Sequence, residues 1–288
     1  MSRVLVLGAG VAGHTAASFL RRWLDKSNDV TVVSPLSDYN WIPSNIWVGV
    51  GRMREEQVTF PLAPIYEKAG IRFEQACAVE LHPEGSETLS ASHVIVEKGR
   101  GDAAKRSAVP YDYLINATGP KLNFDATEGL GPGKHTVSVC TASHAVEAAH
   151  QFLSLVERMK KGDRCRFVIG TGHGMCTCQG AAFEYVVNLE FELKRHGVRD
   201  QAEVIFLTNE YELGDFGMGG AFVRRNGYIT PTNIFTESVL AERKIWSIIR
   251  SHVHKIEAGR IFYENLAGEE HELTFDMAML LPPFTGVG

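Results

Sequence analysis

The sequence predicts an α/β protein made of two Rossmann-like dinucleotide-binding modules with a small β-meander. Three observations carry this. Gly8–Gly13 and Gly170–Gly174 are glycine-rich turns about 160 residues apart, each entered from an apolar strand-like run and left by an amphipathic helical stretch. Between them lie apolar runs broken by polar turns, as in a meander. The spacing is too long for a repeat array and suggests two modules, residues 1–125 and 126–288, with the second inserted in or following the first.

Arg3–Leu7 reads as a buried parallel strand. A helix follows to about Leu24, with Ala16, Ala17, Leu20 and Leu24 on one face. Asp29–Ser34 is the second strand of the βαβ unit. Residues 35–51 read as irregular, 61–69 as a helix, 71–79 and 93–98 as meander strands, and 111–117 as a strand ending at Thr118-Gly119-Pro120. The α/β rhythm then restarts with a helix over 142–159, a strand over 165–169 and a long helix over 179–196. Ala182, Val186, Leu189 and Leu193 are spaced on one face of that helix. A strand is expected over 202–208, a helix over 236–249 and further strands over 256–281.

Composition is that of a globular protein, with 44% hydrophobic and 22% charged residues over 288 positions. A net charge of −5 gives no electrostatic case for nucleic acid. No apolar run reaches membrane-spanning length, and the first strand starts too early for a signal peptide, so a cytoplasmic location is expected. The five cysteines, Cys77, Cys140, Cys165, Cys176 and Cys178, form no CxxC pair; neither a disulfide framework nor a metal site is expected.

In the first motif, Gly8 permits the tight turn, Gly10 lets backbone approach a pyrophosphate, and Gly13 allows close helix–strand packing. The first-turn residues Val11 and Ala12 supply unpaired N–H groups for the phosphates. Ser34, followed by Pro35, stands where an acidic residue usually holds the ribose, and no nearby arginine argues for NADP. Ala117-Thr118-Gly119 at a strand end, the second signature of two-domain flavoprotein reductases, favours FAD over NAD. Cys77 and its neighbour Ala78 are expected near the adenine through their backbone.

Cys178 stands at the start of the long helix, where the helix N-terminus is expected to lower its pKa, with His173 close in sequence as a further cation. Met175 replaces the third glycine of that loop, which argues against NADH there. Cys176 is expected to pack, with a Cys-Thr-Cys disulfide as the alternative, and Cys165 to be inert. From position alone, Cys140 ends a strand and packs, while His144, His150 and Glu184 are exposed helix residues.

Gly8–Gly13, Trp41-Ile-Pro43-Ser44-Asn45-Ile-Trp47-Val-Gly49-Val-Gly51 and Ala117-Thr118-Gly119-Pro120-Lys121-Leu122 together resemble sulfide:quinone oxidoreductase. Val139-Cys140-Thr141, Cys178-Gln-Gly180-Ala-Ala-Phe-Glu184-Tyr185 and Leu281-Pro282-Pro283-Phe284-Thr285-Gly286-Val287 extend the likeness over the whole chain. Flavocytochrome sulfide dehydrogenases and type II NADH dehydrogenases share the general frame. The resemblance implies FAD on the first module, with Ser44, Asn45 and Lys121 joining Gly8–Gly13, Ser34, Pro35, Ala78 and residues 117–120 as contacts. It implies oxidation of hydrogen sulfide through a cysteine persulfide, with electrons passing by way of FAD to a membrane quinone. Cys178 matches the flavin-proximal cysteine and Cys140 another used in sulfide oxidation, while Glu184 and His144 match proton-handling positions. Asp215 stands where some members carry a histidine. The family runs past Gly288 into a partner cysteine, further FAD contacts, quinone-pocket residues and membrane-surface segments, so a shortened, incomplete form is expected. A flavin-binding redox sensor, an inactive fragment, or a reductase using cytochrome or NADH are the alternatives. A homo-oligomer stays open.

Overall fold

A computed structural model describes residues 1–99 and 104–287. In chain order its elements begin β1 (Arg3–Leu7), α1 (Val11–Trp23), β2 (Asp29–Ser34), β3 (Asp38–Asn40), α2 (Asn45–Gly49), β4 (Thr59–Pro61) and α3 (Leu62–Ala69). The strands β5 (Arg72–Gln75), β6 (Cys77–His82), β7 (His93–Lys98), β8 (Lys105–Pro110), β9 (Tyr113–Asn116) and β10 (Lys121–Leu122) follow. Then come α4 (Ala142–Lys160), β11 (Cys165–Thr171), α5 (Gln179–Arg195), β12 (Ala202–Leu207), β13 (Phe222–Arg225), β14 (Tyr228–Pro231) and α6 (Thr232–Glu242). The chain ends with β15 (Trp246–Ile248), β16 (His252–Glu257), β17 (Arg260–Glu264), β18 (Glu270–Thr274), β19 (Met277–Leu281) and β20 (Phe284–Thr285).

Two compact units result. The first comprises Met1–Trp41, Thr59–Pro120 and Gly286–Gly288, and the second Ile42–Val58 and Lys121–Thr285. Residues 42–58 thus pack within the second unit, whereas a cut at 125/126 leaves them with the first. Their apolar residues explain this: Ile46, Val48, Val50 and Val58 are buried in one cluster with residues of α4 and α5. Gly49 seats α2 on α5, for a Cβ there would lie 2.9 Å from the Tyr185 ring, and Tyr185 Oη donates to the Gly49 carbonyl at 3.0 Å.

In the first unit β5-β2-β1-β9 form a parallel sheet, with β6-β7-β8 as an antiparallel meander. The single run expected over 71–79 is two strands. β5 pairs with β2 and β6 with β7, and buried Ala76 marks the corner between them. Within the stretch read as irregular, Asp38–Asn40 pairs with Thr59–Pro61 and Asn45–Gly49 is helical. β8 escaped the sequence reading because its burial is slight, leaving no apolar alternation.

In the second unit β15-β12-β11-β19 form a parallel sheet, and β16-β17-β18 form a second meander. β11 and β12 are buried along their lengths except at Arg166 and Glu203, which face each other near their starts, as strands covered on both sides require. Ala182, Val186, Leu189 and Leu193 bury the predicted face of α5. The helix expected over 236–249 is displaced. It runs Thr232–Glu242, and Trp246–Ile248 continues as an edge strand beside β12. Lys244, at φ 53°, turns the chain between the two. The β13–β14 hairpin turns on Asn226 and Gly227, both at positive φ, the Asn-Gly pairing that a tight hairpin favours. No helix among the described residues is long and apolar enough to cross a membrane.

The tightest point of the second sheet is Gly170, opposite Leu207. A Cβ there would lie 1.6 Å from the Leu207 carbonyl oxygen. Gly170→Ala must push β11 from β12 and is expected to destabilise the protein by about 2 kcal/mol or more in a urea melt, the scale of an overpacked core.

Candidate active site

Two sets of side chains carry chemistry, one in each unit. In the first, β1 feeds the Gly8–Gly13 turn. Gly8 adopts φ +95°, and a Cβ on it would lie 2.2 Å from the Ala117 carbonyl oxygen. Gly13 packs as closely, its Cβ position 2.0 Å from the Gly8 carbonyl oxygen. Both glycines are therefore required by the protein's own backbone. Gly10 is different: nothing lies within 4 Å of its Cβ position. It forms the N-cap of α1, with no side-chain capping bond and no acidic residue in the first turn. Gly10, Val11 and Ala12 are exposed, so the opening N–H groups of a thirteen-residue helix face open space. That arrangement fits a pyrophosphate.

Around this turn, Ser34 is buried and its Oγ accepts the Leu36 N–H at 3.2 Å, closing the bend at Pro35. At the end of β9, Asn116 Oδ1 accepts both the Thr118 N–H at 3.2 Å and the Thr118 hydroxyl at 2.8 Å. This shapes the exposed Thr118-Gly119-Pro120 turn, where Gly119 takes φ +71°. The sequence reading passed over Asn116. Ala78 lies on β6 at a bulge, and Cys77 beside it is exposed rather than packed.

In the second unit, β11 runs into the Gly172–Thr177 turn and then α5. Asn209, just past β12, grips this turn. Its Nδ2 donates to the carbonyls of Gly174 and Cys176, both at 2.8 Å, and its N–H donates to Thr171 Oγ1 at 3.0 Å. Gln179 Nε2 donates to the Cys176 carbonyl and to Asn209 Oδ1, each at 2.8 Å. Neither Asn209 nor Gln179 was legible as a site residue, because the fold alone brings Asn209 to this turn and to Gln179.

Cys176 is buried, and Cys140 and Cys178 are partly buried against the same apolar cluster; all are free thiols. Cys176 and Cys140 both feel the charge of Cys178, and Cys178 feels that of Glu184. Cys140 lies in the loop before α4 rather than at a strand end, its N–H bonded to Ser138 Oγ at 3.1 Å. The thiol of Cys178 is raised, not lowered. Burial outweighs the N–H of Ala181, which favours the thiolate, and Glu184 adds to the rise. Burial pushes Cys140 up as well, and Cys176 up to about 12.

His173 supplies no imidazolium in support. Its Nδ1 accepts the Met175 N–H at 3.0 Å, and burial, with His252 as the second cause, lowers its pKa. His144 lies in the first turn of α4, where Thr141 Oγ1 accepts its N–H at 3.2 Å. Its Nδ1 is buried without a hydrogen-bond partner among the described residues, and burial lowers its pKa. Glu184 is exposed on α5, as its position suggested. Asp215 Oδ1 accepts the Gly219 N–H at 2.6 Å and so shapes its own loop. Asn45 is fully buried at the start of α2, after Ser44, and Lys121 is exposed on β10.

Residues 2–182 match the family model described as pyridine nucleotide-disulphide oxidoreductase. The chain is 32% identical to the sulfide-quinone reductase of Aquifex aeolicus over 98% of its own length and 59% of that protein's. It is 25% identical to the mitochondrial sulfide:quinone oxidoreductase of Mus musculus over 98% of its length and 56% of that relative. The crystal structure of the Aquifex aeolicus sulfide:quinone oxidoreductase superposes with a TM-score of 0.83 at 31% identity, covering 100% of this chain and 60% of that one. The chain thus spans less than two thirds of the relatives it matches.

The two exposures of the first turn separate stability from ligand binding. Gly10→Ala is expected to change the unfolding free energy from a urea melt by less than about 1 kcal/mol, while the dinucleotide retained on purification falls. Gly8→Ala is expected to lose both. Equal dinucleotide content in Gly10→Ala and wild type would remove Gly10 from the binding surface.

Proposed function

Because the chain belongs to the pyridine nucleotide-disulphide oxidoreductase family, we propose that it carries out the oxidation of hydrogen sulfide through a cysteine persulfide, with a membrane quinone as the final electron acceptor. It is an oxidoreductase whose cofactor is FAD, which when bound supplies a two-electron acceptor. The observation that carries the sulfide reading is the gathering of Cys140, Cys176 and Cys178 with Glu184 at the start of α5. The likeness to proteins named sulfide-quinone reductases supports it along nearly the whole chain.

In this reading the first unit holds the pyrophosphate on the N–H groups of Gly10, Val11 and Ala12. Cys178, half-open, takes up the sulfur. Joining hydrosulfide to that thiol as a persulfide anion releases two protons and two electrons; FAD, when bound, would accept the electrons, and a base must receive the proton of the burial-raised thiol. Glu184 is the charged group that acts on it. His144, kept neutral by burial, has an unoccupied Nδ1 able to accept a proton. The assignment of Ser34, Pro35, Ser44, Asn45, Ala78 and Lys121 to the cofactor rests on the sequence resemblance.

The test is the visible flavin spectrum of the purified chain before and after anaerobic sulfide. Sulfide is expected to bleach it. Cys178→Ser should slow the bleaching by more than about a hundredfold, as loss of a nucleophile does. Since the Cys178 and Cys140 thiols are raised, the wild-type rate should climb with pH through the alkaline range. Flavin that ignores sulfide, or bleaches equally fast in Cys178→Ser, would refute the reading.

A further inference from the structure

The turn that carries the α5 cysteines follows the carboxyl end of β11. The amino ends of β11 and β12, about 20 Å away along a seven-residue strand, border a different cavity. It encloses about 650 Å³, within the size range of small-molecule pockets. The sequence resemblance gives none of its residues a role.

Its walls are built by paired groups. Arg199 Nη1 donates to the Ala202 carbonyl at 2.7 Å, and its Nη2 donates to the Arg243 and Lys244 carbonyls, both at 2.8 Å. This holds the start of β12 to the chain entering β15. Arg166 pairs with Glu203 at 2.6 Å and donates to Thr274 Oγ1, and Asp276 accepts the Arg166 N–H at 2.8 Å. Other lining groups are unpaired. The side chains of Arg164, Lys244 and Asp200 make no hydrogen bond or ion pair among the described residues. Gln201 Oε1 is buried and likewise without a partner there. A buried acceptor is costly to keep unpaired, and a donor that enters the cavity removes that cost. Trp246, 70% exposed on the edge strand β15, lines the same space.

Independently of the sulfide reading, we propose that this cavity is a binding site for a nucleoside monophosphate whose base carries an amino group. Each unpaired group has a use in that ligand. The base stacks on the Trp246 indole. Its amino group donates to Gln201 Oε1. Arg164 and Lys244 take the phosphate dianion. Asp200 accepts the ribose hydroxyls, as the acidic residue of a dinucleotide fold does. Inorganic phosphate would engage the two cations and leave the indole and the Gln201 acceptor unused. A cationic ligand would meet those two cations and a single free carboxylate.

The test is calorimetric titration of adenosine monophosphate into the full chain holding its FAD, so that the Gly8–Gly13 turn is already filled. Saturable binding at one site is expected. Trp246→Ala should weaken it by about tenfold or more, the scale of a lost stack. Arg164→Gln should weaken it by about tenfold, the scale of a lost charge-assisted bond. Both side chains are exposed, so neither change is expected to unfold the chain. The monophosphate of purine riboside, which lacks only the amino group, should bind about tenfold more weakly than adenosine monophosphate. In Gln201→Met the two ligands should bind alike. No saturable binding at millimolar concentration, equal affinity in Trp246→Ala and wild type, or inorganic phosphate bound as tightly as the nucleotide would each overturn the proposal. None of these outcomes bears on the bleaching of flavin by sulfide, and a flavin that ignores sulfide leaves this site standing.

Discussion

Both units depend on one constraint: at the end of a central parallel strand, a neighbouring carbonyl occupies the space where a side chain would stand. At Gly8 the carbonyl belongs to Ala117, and at Gly170 to Leu207. Glycine alone tolerates either approach. In the first unit the approach draws the end of β9 against the start of the turn, where the Ala117 N–H donates to the Leu7 carbonyl at 2.8 Å. It thereby fixes the chain entering the Thr118-Gly119-Pro120 turn. Gly13 then lays α1 on the Gly8 carbonyl. The helix N-terminus thus points where it does because three backbone segments have been brought together without side chains between them.

The parts of this that could be read from sequence are those where one residue type has one physical use. The glycines at 8 and 13, the apolar runs of β1, β2, β11 and β12, and the stripe of α5 were all legible on those grounds. Residues 42–58 were not, because a short apolar stretch with Pro43, Gly49 and Gly51 looks irregular until α4 and α5 are present to cover it. The strand Trp246–Ile248 read as helix for a related reason: a short edge strand with two exposed residues carries no alternation. The Asn226-Gly227 turn was visible in principle, since Asn-Gly between β-prone residues is a local signal. Asn116, Gln179 and Asn209 were beyond reach. Asn209 holds carbonyls more than thirty residues away and Gln179 reaches Asn209, which no spacing announces, while Asn116 bonds Thr118 two residues on inside a turn that no local pattern marks.

The cysteines show where a local rule yields to tertiary structure. A helix N-terminus offers a charge about 0.3–1 kcal/mol at an exposed surface, less than the roughly 1.4 kcal/mol of one pKa unit. Withdrawal from water shifts a group by as much as several units. Cys178 sits at the N-cap of α5, yet its thiol is raised, since its sulfur is packed against an apolar cluster and faces the Glu184 carboxylate. A thiol held in this way would need a proton acceptor to react, since no thiolate is formed in advance.

The two glycine turns consequently present the same backbone device to different chemistry. α1 begins at an uncapped glycine, with exposed N–H groups and no side chain nearby. α5 begins at a cysteine, behind a turn whose carbonyls are tied down by Asn209 and Gln179. Met175, exposed, replaces the glycine that would let a phosphate approach. A dinucleotide needs the first arrangement, because phosphate oxygens must replace water at bare N–H groups. The second keeps its turn rigid through bonds to its own side chains and offers sulfur at the helix start. One strand–turn–helix device can thus serve as a phosphate cradle in the first unit and as a mount for thiols in the second, the difference resting on what occupies the N-cap and which side chains hold the preceding carbonyls.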